Sequence, residues 1–465
     1  MLKRRRLIEL LLIYSMGCSG PQYAEKAEEV APTPEAWEKP SQGAPEEQVT
    51  FCSGISSELD QTLSTTLTQN LELKAAWERL QQAEAIATQN GATLYPTVSL
   101  QASAQRSKTA APFGPAGSIE ANQFQVSMPV AYELDLFGKL AAQREAAELD
   151  VEASRADAET LALSLAAQTT EAWLDVVFHR ERIRLLDEQI SVAENYLELT
   201  LLRLSQGLAS ALDVNQQETD IRGLKARREQ AKLAEELSLW RLGVLLGKAE
   251  KAAVSQGELP EIGVALSAGT PASVLEQRPD IRSAYMRLKA ADARTAQAAR
   301  DRLPTIRLSA NLFLQAAELG ELFDDLFWSL GAQATQPIFE GGRRQARVDQ
   351  FAAAARERLW VWAQAVNRAV QEVESAMAQE DAQVRVLEEL RAQEELAETT
   401  LELARERYRS GALDYLRVLT ALRSLQAVEQ SLLDARRQQL SFRVQTCRAL
   451  GGAWTQSMEM PESNE

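Results

Sequence analysis

Residue types that usually carry catalysis are sparse in this chain. Its one histidine, His179, stands in Phe178-His179-Arg180-Glu181, inside a helical stretch, where a surface role is expected rather than a base or a ligand. No His/Cys cluster, Gly-rich phosphate loop or nucleophile elbow occurs. Carboxylate pairs such as Glu28-Glu29 and Glu388-Glu389 read as solvated faces. Neither an enzyme nor a cofactor is predicted. The three cysteines offer other chemistry. Lys3, Arg4, Arg5 and Arg6 precede a short apolar core, Leu7 to Tyr14, so residues 1–17 read as a signal peptide. Gly17-Cys18-Ser19 resembles the end of a bacterial lipobox and makes Cys18 a candidate lipid anchor. Glu9 inside the core and Ser15 in place of the usual Leu depart from that pattern, and plain cleavage beside an incidental cysteine is the alternative. Cys52 and Cys447 are left over in an exported chain, which suggests a disulfide in an oxidising compartment. Two unpaired buried thiols are the alternative.

The elements that carry these residues are mostly helical. Ala, Leu, Glu, Gln and Arg dominate, aromatics are only 6%, and the 465 residues contain just 22 Gly and 15 Pro. A net charge of −16 excludes a nucleic-acid partner, because phosphate binding needs a basic surface. No run reaches the roughly 18 apolar residues of a membrane-spanning helix. A bilayer could be crossed only by strands. Residues 18–50 form an acidic, Pro-rich linker; between 20 and 50 fall five prolines and seven Glu against two Lys. Such a segment cannot bury enough surface to fold alone, and it would let a lipid-anchored end reach a distant body.

The chain also repeats itself. Leu94-Tyr95-Pro96-Thr97-Val98 matches Leu303-Pro304-Thr305-Ile306 around prolines 208 residues apart, and Pro129 pairs with Pro337 at the same offset. The register then becomes 204: Gly138 lies over Gly342, Arg203 over Arg407, Gly207 over Gly411, and Leu246-Gly247 over Leu450-Gly451. A constant register over more than a hundred residues means two copies of one unit. The boundaries expected are 51–265 and 266–455, followed by a disordered tail at 456–465. Each copy begins with a helix (about 57–92 and 272–301) and continues with two strands (95–106 and 121–134; 303–315 and 325–338). A very long helix follows (138–205; 343–409), then a Gly-containing turn and a return helix (212–247; 415–450). At 1.5 Å per residue each long helix would run about 100 Å, and its apolar stripe needs neighbours along the whole length.

The strands alternate with period two. Phe124, Val126, Met128, Val130 and Tyr132 face Gln123, Gln125 and Ser127; Ile306, Leu308, Ala310, Leu312 and Leu314 face Arg307, Ser309, Asn311 and Gln315. Lengths near ten residues suit tilted membrane strands. The polar faces are rich in Gln, Ser and Thr and poor in charge, as a water-filled lumen requires. An antiparallel sheet on a soluble core is the alternative. Four strands cannot close a barrel, and open edges are not tolerated in lipid. Three protomers would supply twelve.

Four segments then carry a family resemblance: Tyr132-Glu133-Leu134-Asp135-Leu136-Phe137-Gly138-Lys139, Gln277-Arg278-Pro279-Asp280-Ile281-Arg282, Pro337-Ile338-Phe339-Glu340-Gly341-Gly342-Arg343-Arg344 and Ala449-Leu450-Gly451-Gly452. Over about residues 50–455 the chain resembles the TolC/OprM-type outer-membrane factors, closest to the efflux lipoprotein branch. The resemblance implies a mainly α fold with a transmembrane β-barrel: a homotrimer with twelve strands in the outer-membrane lipid and an α-helical barrel in the periplasm. It implies a passive exit channel whose partners are a periplasmic membrane-fusion adaptor protein and an inner-membrane efflux pump. Type I protein secretion is an alternative within that class, and a pore-less periplasmic coiled-coil scaffold is one outside it. Arg203, Gly207 and Leu208, with Arg407, Gly411 and Ala412, match the two adaptor-docking tips. Asp213 and Tyr408 match an Asp–Tyr link that holds the periplasmic gate shut. Where related channels carry an acidic ring, this chain has Arg417 and Thr420, with Asp414 one turn earlier. Arg417 either sets an anion-favouring field or pairs with Asp213 or Asp414.

Overall fold

The computed structural model describes residues 22–38, 51, 55–110, 118–262 and 269–457. The expected signal sequence, Cys18, Cys52 and the residues from 458 onward lie outside the described residues. The first copy runs α1 (Ser57–Gln69), α2 (Leu71–Ala92), β1 (Thr97–Val98), β2 (Gln101–Ala110), β3 (Ser118–Leu134), α3 (Lys139–Ser205) and α4 (Ala211–Leu245). The second runs α5 (Pro271–Gln277), α6 (Pro279–Arg300), β4 (Thr305–Ala316), β5 (Leu326–Thr335), α7 (Arg343–Arg409) and α8 (Tyr415–Leu450). The long helices α3 and α7 have 67 residues each and contain no Gly or Pro, so nothing in either sequence interrupts the hydrogen-bond ladder. Two compact units emerge: one of residues 1–32, 79–155 and 283–364, the other of residues 33–78, 156–282 and 365–465.

Among the described residues, the first unit holds every strand. β3, 17 residues long, pairs antiparallel with β1 and β2 on one side and with β4 on the other, and β4 pairs with β5. The register sorts the side chains by polarity. Ala102, Val126, Leu314 and Leu326 follow one another across the strands, as do Val98, Val130, Ala310 and Leu330. On the opposite face Gln101 meets Ser127, Ser103 meets Gln125, and Asn311 meets Ser329. β1 and β2 are one strand in register, interrupted at Ser99 and Leu100, opposite Pro129. Ser99 N–H donates to the Pro129 carbonyl at 3.2 Å, but Pro129 has no N–H to return.

In the second unit the single leading helix expected in each copy is broken in two, and the breaks are themselves repeated. Arg278, ahead of Pro279, is extended (ψ 119°), as a residue before proline must be. Its buried guanidinium donates to the Ala449 carbonyl at 2.9 Å and to Asp280 and Glu372 at 2.8 and 2.7 Å. Asn70 stands at the equivalent break. Its Oδ1 accepts from Glu72 and Leu73 N–H at 2.9 and 3.1 Å, and its Nδ2 donates to the Leu245 carbonyl at 2.9 Å. Leu245 and Ala449 are related by the same 204-residue register. Each copy therefore ties the C-terminal carbonyls of its return helix to the kink in its leading helix. Gly451, φ +81°, packs where an added Cβ would lie 3.2 Å from Arg278 Cγ, which explains a Gly in the Ala449-Leu450-Gly451-Gly452 motif.

Part of the expected linker is seated on the body. In the first unit Ala24 N–H donates to Asp292 at 2.7 Å, and Arg356 donates to the Tyr23 hydroxyl at 2.8 Å. In the second, Trp37 is buried among Val274, Val373, Ala376, Ala449 and Leu450, and its indole N–H donates to the Gly269 carbonyl at 3.0 Å. One tryptophan supplies the apolar area that the composition of this stretch otherwise lacks. Cys447 is fully buried and disulfide-bonded; Cys52, its expected partner, falls outside the described residues.

Candidate functional site

The two turns that join long helix to return helix share one backbone. Gly207 and Gly411 have φ +72° and +75°, the left-handed conformation that glycine takes without strain. Leu208 N–H donates to the Arg203 carbonyl at 2.8 Å and Ala412 N–H to the Arg407 carbonyl at 2.9 Å, closing each helix in the same way. A Cβ added at either glycine would meet nothing within 4 Å, so both turns present open backbone. Their side chains differ. The first carries exposed Leu202 and Leu208 where the second has exposed Glu406 and Ala412, while Leu212 and its counterpart Leu416 are both exposed.

Asp213 is not bonded to Tyr408. Its carboxylate accepts from the Ser210 N–H and hydroxyl, both at 2.8 Å, and the Ser210 hydroxyl accepts from Asp213 N–H at 3.3 Å. This is a capping box at the start of α4, a local demand that takes the carboxylate first. Asp414 stands where Ser210 does and is itself the N-cap of α8, its carboxylate accepting from Arg417 N–H at 3.2 Å. Among the described residues the Arg417 guanidinium has no ion-pair partner, and Thr420 turns its hydroxyl back to the Leu416 carbonyl at 2.8 Å.

Tyr408 instead belongs to a buried aromatic cluster with Leu401, Ala404, Tyr415, Val418, Leu419 and Leu422. The Arg203 guanidinium lies 4.3 Å from the Tyr408 ring centre, in cation–π contact. Tyr408 and Tyr415 stand 5.9 Å apart, tilted by 53°. The Tyr415 hydroxyl donates to Gln217 Oε1 at 2.7 Å, and Gln217 Nε2 donates to the Ala193 carbonyl at 2.8 Å. Burial pushes the Tyr415 phenol up to about 12. It raises Tyr408 as well, against the opposing charge of Arg203. Tyr415 and Gln217 escaped the sequence reading. A tyrosine directly after a capping Asp, and a glutamine between apolar turns, were the only available signals.

Beside this cluster lies a cavity of about 520 Å³ whose lining includes Glu188, Gln189, Glu398, Glu402, Arg405 and Glu429. Gln189 donates to Glu429 at 2.7 Å, yet burial and then the neighbouring Glu394, Glu188 and Glu398 raise the Glu429 carboxyl above its ordinary range. Among the described residues no group of His, Cys, Asp or Glu is arranged to hold a metal ion, and no helix is long and apolar enough to cross a membrane.

The family model for outer membrane efflux proteins matches this chain twice, over residues 62–248 and 270–452. The chain belongs to that family. The double match coincides with the internal repeat. This efflux protein is 31% identical over 413 residues to the pyoverdine export outer membrane protein OpmQ of Pseudomonas aeruginosa, covering 85% of each chain. It is 29% identical over 464 residues to the outer membrane protein OprJ of the same species, covering 97% of this chain and 96% of that one. Its fold matches the outer-membrane channel OprN with a TM-score of 0.86 at 27% identity, over 91% of this chain and 98% of that one. The protein is thus an outer-membrane efflux channel, mainly helical, with tandem repeats that build a β-barrel and an α-barrel.

Proposed function

We propose that three copies of the chain close into one duct, which passively carries solutes delivered by an inner-membrane pump through a periplasmic adaptor to the exterior. The sorted register of the sheet carries this reading. One face is mostly apolar from β1 to β5, the other mostly polar, and among the described residues the β2 and β5 edges have no partner strand. Unpaired backbone groups cost several kcal/mol each in hydrocarbon, so membrane insertion requires the β5 edge of one copy to meet the first-strand edge of the next. Twelve strands then enclose the polar face. The open turns at Gly207 and Gly411, with Leu208, Arg407 and Ala412 around them, are the adaptor-docking tips. Arg203 stacked on Tyr408, with Tyr415 and Gln217 behind, is the periplasmic gate, with Asp414, Arg417 and Thr420 on the adjoining return helix. Cys18 is acylated and anchors the N-terminus, and Cys52 and Cys447 form the bridge.

Mass measurement of the detergent-extracted protein tests the assembly. A trimer whose subunits carry an acyl mass increment on Cys18, absent in a C18S variant, is the expected result. A monodisperse monomer in detergent-free buffer would remove the duct.

A further inference from the structure

Among the described residues the polar face of the sheet carries one aromatic pair. Phe313 and Phe327 are register partners on the face that presents most of the sheet's Gln, Ser and Asn, and their rings stack at 5.4 Å with 24° between planes. Cross-strand aromatic pairing stabilises a hairpin, but packing alone does not require it on this face. Trp328, the next residue, points to the apolar face and is 71% exposed, as an interfacial aromatic at a strand end would be. The Phe pair therefore lies at the level of the barrel's mouth. Phe327 itself is 43% exposed, so part of its ring is open to the lumen.

The β4–β5 turn beside the pair carries charge of one sign, while Arg106 and Lys108 on the neighbouring β2–β3 hairpin are both ion-paired to Glu120 at 2.8 Å. The turn between β4 and β5 holds Glu318, Glu321, Asp324 and Asp325, and no Lys or Arg occurs between Arg307 and Arg343. Among the described residues none of these four carboxylates is ion-paired, whereas Arg307 is bonded to Glu133 at 3.2 Å. An aromatic face has a negative quadrupole that attracts cations. Under a negative field, and flanked by apolar ring surface, it selects organic cations over anions and over small hydrated ions.

We propose that the Phe313–Phe327 pair is a weak subsite for lipophilic organic cations at the outer mouth, repeated three times around the lumen. This rests on the channel reading, which makes the polar face the lumen. A twelve-stranded barrel is too wide for three such pairs to close, so the subsite engages a passing solute without shutting the duct.

The test uses the full-length protein in detergent, with 4-fluorophenylalanine incorporated at position 327 and read by fluorine NMR. Titration with tetraphenylphosphonium should give a saturable shift. F313L, which keeps an apolar side chain but removes one ring face, should weaken that binding roughly two- to five-fold. No shift, or an equal response to neutral triphenylphosphine oxide, would overturn the subsite. A water-soluble gadolinium chelate should broaden the label. If a lipid-borne paramagnet broadens it instead, the polar face is not the lumen, and the channel reading fails rather than the subsite alone.

Discussion

The two return helices, α4 and α8, occupy equivalent places in the two repeats and meet different neighbours. α8 buries Val418, Leu419, Leu422, Val428, Leu433, Leu440 and Val444. Of its large apolar side chains only Leu416 is exposed, among the described residues. α4 leaves Leu212, Leu233, Leu237, Trp240 and Val244 exposed. The repeat register places Trp240, 43% exposed, over Val444, 1% exposed, and Leu233 over Arg437. Arg437 is bonded on α3 to Glu171 and, at 2.7 Å, to Asp175; the equivalents of those acids on α7 are Ser375 and Gln379. The same backbone thus carries an ion-paired seam where its partner lies in its own chain. It carries an apolar seam, 233-237-240-244, at coiled-coil spacing where the partner must come from elsewhere. Under the trimer proposed above, that partner is α7 of the next copy.

The largest effect should come from the side that is already packed. Leu419→Ala empties a fully buried site in α8 and should cost about 2–5 kcal/mol, read as a lower denaturant midpoint; a variant as stable as the parent would contradict the packed seam. Trp240→Ala on α4 should leave the protomer's fold intact and weaken assembly by tenfold or more, on the order of 1.4 kcal/mol. Sedimentation in detergent measures it, and an undisturbed trimer would remove α4 from the interface.

At the gate, the contrast lies between a ring and a hydroxyl. Arg203→Ala removes a cation–π contact of about 0.5–2 kcal/mol and should raise single-channel conductance. Tyr408→Phe keeps the ring and should leave conductance near the parent's. The opposite ranking would reinstate an Asp213–Tyr408 bond in the assembled channel.

The smallest effect is a pH response confined to the cavity beside the gate. The Glu429 carboxyl is raised in the fold by burial and then by its acidic neighbours. The unfolded chain therefore releases this proton first, and stability is lost as pH rises from the ordinary carboxylate range through the raised value. Acidification from neutral pH should stabilise the parent, and Glu429→Gln should blunt that gain. Parallel pH profiles for the two proteins would show that Glu429 does not report on this cavity.

Much of the fold was legible because it rests on periodicity. The two long helices follow from 67-residue stretches without Gly or Pro, and the strands from strict alternation. The breaks at Asn70 and Arg278 were harder to read. Pro279 announces the second, but the first is set by an Asn side chain that reaches the Leu245 carbonyl 175 residues away. The gate was half legible. Tyr408 is buried in the right neighbourhood, while Asp213 answers a capping demand three residues upstream. A local hydrogen bond at a helix N-terminus costs little chain entropy to form, and motif matching does not weigh it.

Sequence alone determined that this protein is two copies of a helix–strand–helix unit with a sheet polar on one face and apolar on the other, because both periods are written into consecutive residues. Tertiary structure decided which copy of each repeated position is covered. Burial depends on which element lies opposite, and Trp240 and Val444, both apolar and at equivalent places in the repeat, differ in what stands across from them.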